Sequence, residues 1–183
     1  MTRKTFVVSD IWFNRPNVDH KEMGVVEYNN MIIRNWNKSI SRTDVVYILG
    51  GIGISDLYGL IVKLNGEIHI LNNYYTDEDV NNIKTLKELI SKSVDKKLSK
   101  KIIFEDCQIK VLPDYDCVLS YLPLSDWYGK DNGTYCFHGL NKISDFKSNF
   151  ISSVISEWEF EPVEINSIKN NIKPSNVNIN NIL

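Results

Sequence analysis

A chain of 183 residues in which 43% are hydrophobic and 24% charged has the make-up of one globular domain with a real core, and neither a disordered chain nor a fibrous repeat fits it. Lysine and arginine total 21 against 23 acidic residues, a formal charge of -2, so no global basic field draws the protein to nucleic acid or to an anionic membrane. Cys107, Cys117 and Cys136 contain no C-x-x-C pair, which argues against a disulfide framework and a cysteine zinc site and predicts reduced thiols.

Along the chain, the run Phe6-Val7-Val8 between Lys4 and Asp10 is too short for a signal peptide or a membrane span, which predicts a cytoplasmic protein. Strands are predicted at Thr5–Ser9, Val45–Leu49 and Glu67–Leu71. Between them, Tyr28, Ile32 and Trp36 mark one amphipathic helix, and Leu57, Leu60, Ile61 and Leu64 mark another with Ser55 as its N-cap. A single helix from about Asp79 to Leu98 follows, with Ile83, Leu86, Ile90, Val94 and Leu98 as its buried stripe and lysines toward solvent.

Further strands are predicted at Ile102–Phe104, Gln108–Leu112, Cys117–Ser120 and Thr134–His138. The first half therefore reads as parallel β-α-β-α-β and the second as richer in strands, a layered α/β sandwich. The domain spans residues 1–167, and an Asn-rich tail spans 168–183, where Val177 and Ile179 alternate with Asn as in a short edge strand.

In an open α/β sheet, ligands gather beyond the carboxyl ends of the strands. Those segments read Ser9-Asp10-Ile11-Trp12, Leu49-Gly50-Gly51, Leu71-Asn72-Asn73-Tyr74-Tyr75, Ser120-Tyr121-Leu122 and His138-Gly139-Leu140-Asn141-Lys142. Their order and spacing resemble the calcineurin-like metallophosphoesterases, whose blocks read D-x-H, G-D, G-N-H-D/E, a lone His after a strand, and G-H-x-H. Asn35-Trp36-Asn37, the strand Asp44 to Gly50, the turn Leu64-Asn65-Gly66 and the segment Glu157 to Val163 are similar to further blocks of small bacterial and phage members.

That resemblance implies the family's sandwich of two sheets flanked by helices, and a place where two divalent cations would sit. Carried across residue by residue, Asp10 and Asn73 match metal-ligand positions. The first histidine is replaced by Trp12 and the bridging aspartate by Gly51. Tyr74 stands for the catalytic histidine, Tyr75 for its acidic neighbour and Tyr121 for the lone histidine. Leu140 and Lys142 stand where G-H-x-H has its two histidines. Two of about seven ligands cannot hold a binuclear centre.

The sequence thus predicts a metallophosphoesterase-like protein without catalytic residues, metal or cofactor, which acts by binding. Its expected partner is another protein, with the chain an inhibitor or decoy, and the resemblance to phage members extends this to a phage-encoded protein acting on a host nuclease or defence system. The expected contacts are Trp12, Tyr74, Tyr75, Tyr121 and Lys142 at the altered site, with Trp127 and Tyr128 exposed on a neighbouring loop. Lys142 is expected to pair with Asp10. Two alternatives stay open: capture of a small nucleotide, with Lys142 or Arg15 on its phosphate, and a weak single-metal phosphodiesterase built on Asp10, Asn73 and His138. His69 is expected to be a packed or edge residue of its strand, and His20 a surface residue.

Overall fold

A computed structural model describes residues 2–15, 23–73, 77–140, 144–145 and 147–169, with the side chains of 77–79 left aside. Alternating β-branched residues build the centre of a first sheet from β1 (Thr5–Val8), β2 (Val45–Ile48), β3 (Glu67–Ile70) and β4 (Ile102–Phe104), all parallel, closed at one edge by the antiparallel β9 (Val163–Glu164). A second sheet contains β5 (Ile109–Leu112), β6 (Cys117–Ser120), β7 (Tyr135–His138) and β8 (Phe150–Ser152). Its last three strands are parallel, and β5 is antiparallel to β6. The architecture is mixed α/β with two mixed sheets and flanking helices.

The period of two along each strand sorts the core into two layers. Phe6, Val8, Val46, Ile48, Ile68 and Ile70 face α1 (Val25–Ser39), α2 (Leu57–Ile61) and α3 (Asp77–Lys92). Their neighbours Val7, Val45, Tyr47 and Leu49 face Leu119, Phe137 and Ile151 of the second sheet. Trp36 is fully buried in the first layer and gives its indole N–H to the carbonyl of Asn65, tying the end of α1 to the turn before β3.

The single helix expected over Asp79–Leu98 is broken. α3 ends at Lys92, Asp95 caps the amide of Lys97, and α4 (Lys96–Lys101) starts afresh. Val94, expected in the buried stripe, lies in that break and is 98% exposed, whereas Ile83, Leu86 and Ile90 are buried as expected. Ser55 is not the cap of α2. Asp56 holds that position in a left-handed conformation with no side-chain cap bond, and the amide of Ser55 donates to Asn82 Oδ1.

The short strand β8 was not foreseen, and β9 was foreseen only as part of the segment closing at Pro162-Val163. Both are set by pairing rather than by local pattern. α5 (Ile165–Lys169) crosses the expected boundary at 167/168: Ile168 is buried in the second core layer, and Lys169 pairs with Asp116 at 2.9 Å. The rest of the Asn-rich tail, with Val177 and Ile179, lies outside the described residues, as does His20. Among the described residues, no helix is long and apolar enough to cross a membrane.

Candidate functional site

Beyond Val8 the chain keeps pairing with the segment after β2 on one side and bonds to the segment just after β8 on the other. The amide of Ser9 donates to the carbonyl of Ser153 and the amide of Ile155 to that of Ser9, each within 3.0 Å. This seam carries buried hydroxyls: Ser153 Oγ donates to the carbonyl of His138 at 2.8 Å and lies 3.3 Å from Ser9 Oγ. It brings the carboxyl ends of β1, β2, β6 and β7 to one place. The amide of Asp10 donates to the carbonyl of Gly50, and the amides of Gly139 and Leu140 both donate to the carbonyl of Tyr121.

Tyr121 fills the centre of that convergence. Its ring is 5% exposed, and its hydroxyl donates to Asp10 Oδ1 at 2.9 Å. The ring fits because it lies against two glycines. A Cβ on Gly50 would stand 2.6 Å from the ring, and one on Gly139 would meet both the ring and Ser9 Cβ. Gly51, where the resemblance expects a bridging aspartate, has φ +63, and the space a side chain would need is filled by Asp10 Oδ1. An aspartate there would have to adopt an unfavourable backbone and displace Asp10.

Asp10 itself has φ +54, and Trp12 and Asn14 repeat the left-handed conformation while Ile11 and Phe13 between them are fully buried. Burial pushes the Tyr28 phenol up to about 12, with the charge of Asp10 adding to the effect, and Tyr28 donates to the carbonyl of Ile11 at 2.8 Å. Asn73 is buried, and its amide nitrogen donates to the carbonyls of Leu49 at 2.9 Å and Gln108 at 3.1 Å, which ties the end of β3 to β2 and to the second sheet.

The structure therefore brings Asp10 into contact with both Gly51 and Tyr121, and fastens Asn73, just beyond β3, to the carbonyl of Leu49 at the end of β2. It does not bring Trp12 onto Tyr121: Trp12 is half-buried with the Arg15 guanidinium 5.7 Å above its ring. Tyr74, Tyr75 and Lys142 lie outside the described residues, so the expected Lys142–Asp10 pair does too, and among the described residues Asp10 accepts from the Tyr121 hydroxyl. Leu140 is exposed at 51% on the rim.

The expectation that both Trp127 and Tyr128 are exposed is corrected for Trp127. Its indole N–H donates to the carbonyl of Thr134 at 2.8 Å and its ring stacks on Phe150, with the Lys130 ammonium 4.8 Å from the ring centre. It anchors its loop across the outer face of the second sheet, leaving Tyr128 exposed at 78%. His138 is fully buried with its ring stacked 4.0 Å from Phe150, and His69 lies between Glu105 at 2.7 Å and Glu67 at 3.1 Å. Sequence reasoning missed the part played by Gly139 and the Ser9/Ser153 seam. A glycine directly after a strand was the available signal for the first, and nothing local announced the second.

Among the described residues, no three or more His, Cys, Asp and Glu side chains converge as a metal cluster would require. One carboxylate already accepting from a phenol, with a glycine where a bridging carboxylate would be needed, does not fit a pair of divalent cations.

No family model matches the chain. It is 35% identical over 75 residues to the uncharacterized protein MJ1445 of Methanocaldococcus jannaschii, a match covering 36% of this chain and 43% of that protein. The matched region is thus less than half the length of the archaeal relative. The protein of unknown function AQ665 from Aquifex aeolicus has a similar crystal structure, with a TM-score of 0.63 at 17% identity, covering 93% of this chain and 100% of that one. At that identity the likeness is one of fold.

Proposed function

We propose that this chain is a metallophosphoesterase-like scaffold that does not hydrolyse phosphate esters and acts by binding another protein. The observation that carries the reading is the Tyr121–Asp10 hydrogen bond, made by a ring seated between Gly50 and Gly139. A bulky phenol bonded to the carboxylate takes the position from which a cation would be held. Tyr128 and Leu140, exposed near opposite ends of the second sheet, supply apolar surface of the type found at protein contacts.

The nucleotide alternative is weakened by the burial of Tyr121, since a ring wedged between two backbones offers no open face on which a base could stack. A single-metal site on Asp10, Asn73 and His138 is weakened by the stacking of His138 on Phe150 and by the Tyr121 phenol on Asp10.

The test is an assay of bis(p-nitrophenyl) phosphate with manganese, run beside calorimetry with mononucleotides and cyclic nucleotides. No turnover above the buffer rate and no binding heat are expected. Turnover that disappears in Asp10→Ala would overturn the reading, and saturable nucleotide binding would replace it with capture. Copurification from the native host should then retain a protein on the wild type that Tyr128→Ala or Leu140→Ser loses.

A further inference from the structure

The second sheet ends at β5, which pairs with β6 on one side and, among the described residues, with no strand on the other. Its register sorts its side chains. Lys110 and Leu112 stand opposite Leu119 and Cys117 and face the first sheet, whereas Ile109 and Val111 stand opposite Ser120 and Val118 on the outer face. There Ile109 is 48% exposed and Val111 41%. Edge strands are ordinarily guarded by an outward lysine or a proline. Here the lysine turns inward, with its ammonium 2.7 Å from Glu105, and Pro113 follows the strand rather than interrupting it.

The chain itself brings an alternating segment to this edge. The last described residue, Lys169, pairs with Asp116 at 2.9 Å, in the turn that joins β5 to β6. Residues 170–183 follow it, outside the described residues. Asp116 is four residues from Leu112, at most about 14 Å, while the seven steps from Lys169 to Asn176 can span up to about 25 Å. A chain leaving Lys169 therefore reaches the Leu112 end of β5 with slack to round the turn, and from there it runs antiparallel to β5.

Side-chain chemistry then selects one register. Val177 and Ile179 have the spacing of Val111 and Ile109 and meet them on the outer face, and Asn178 falls opposite Lys110, beside the charged cluster of Glu105 and His69. A slip by one residue would turn both aliphatic side chains into that cluster and leave asparagines over the bare patch. In the same register Lys173 comes to the turn that carries the exposed Asp114, and Pro174, which cannot donate to a ladder, stays outside it.

We propose that residues 177–179 add to the free edge of β5 as an antiparallel fifth strand of the second sheet, with Val177 against Val111 and Ile179 against Ile109. The occupant is this chain's own segment, and it keeps the edge from pairing with another protein. The inference is independent of what the Tyr121–Asp10 cluster does.

NMR of the full chain tests it. Nuclear Overhauser contacts are expected between the methyls of Val177 and Val111 and between those of Ile179 and Ile109, with amide exchange at residues 177–179 slowed at least about tenfold relative to an unstructured chain. Ile179→Asp should abolish both, while unchanged exchange at the β6 and β7 amides verifies that the domain stays folded. Unslowed exchange at residues 177–179 in the wild type, contacts of these methyls with any other surface, or protection that survives Ile179→Asp would each overturn the proposal. So would contacts between labelled and unlabelled chains in a mixed sample, which would make a second copy's segment the occupant.

Discussion

The Tyr121 hydroxyl bonds to Asp10 where water scarcely reaches the ring, and its strength there follows from the charge on the acceptor. Tyr121→Phe removes that donor and leaves a partly buried carboxylate short of a partner, for an expected loss of about 1.5–3 kcal/mol in urea unfolding. If Asp10 were instead held by a cation, the same change would scarcely alter stability in a chelator. Gly139→Ala tests the seat of the ring from the other side. Its methyl would meet an aromatic ring and a serine Cβ rather than the tip of a flexible side chain, so a cost of about 1–3 kcal/mol is expected, at the upper end of that range. Asp10 and Tyr121 were both legible in the sequence as positions that matter. Their bond to each other was not, because its donor and acceptor are 111 residues apart and meet only across the seam between sheets.

At the scale of elements, the connection from β6 to β7 holds only a short 3-10 turn, Lys130–Asn132, and relies on Trp127 to keep it on the sheet. Trp127→Ala should therefore cost about 2–4 kcal/mol, while the neighbouring Tyr128→Ala should change stability by no more than about 0.5 kcal/mol. Equal effects of the two in parallel melts would contradict the anchoring role. Periodicity placed a tryptophan and a tyrosine side by side on a polar loop and could not tell which one turned inward. The helix break at Ser93–Asp95 escaped for a related reason. Val94 continues the apolar stripe on paper, but a capping aspartate next to it restarts the helix in a new direction and leaves the valine in solvent.

Across the whole molecule, the first sheet meets the second beside a charged cluster in which His69 lies between Glu67 and Glu105, Arg3 bonds Glu67, and Lys110 bonds Glu105. Burial raises both carboxyl groups, but these hydrogen bonds outweigh it and hold each below its ordinary value of 4.5. The unfolded chain then takes up protons first as the pH falls. Their stabilisation is present above about pH 4.5 and is lost as the pH drops through the lower folded-state range. A melting temperature that falls from pH 5 to pH 3, with a shallower fall in Glu105→Gln, is the expected result. A melting temperature unchanged across that range would show that the cluster adds nothing.

What residues say about their near neighbours was readable in advance: seven of the strands, the parallel run of the first sheet, the buried face of α1 and most of that of α3. Alternation and helical period are local consequences of backbone geometry, so a linear pattern carries them. Long-range pairing decided the rest. The sheets join at Ser9 and Ser153, β8 and β9 exist because a strand lies beside them, and Tyr121 reaches Asp10 because two glycines leave room for its ring. Such contacts depend on which surfaces meet in space, and no periodicity within one segment encodes the distance between two segments far apart in the chain.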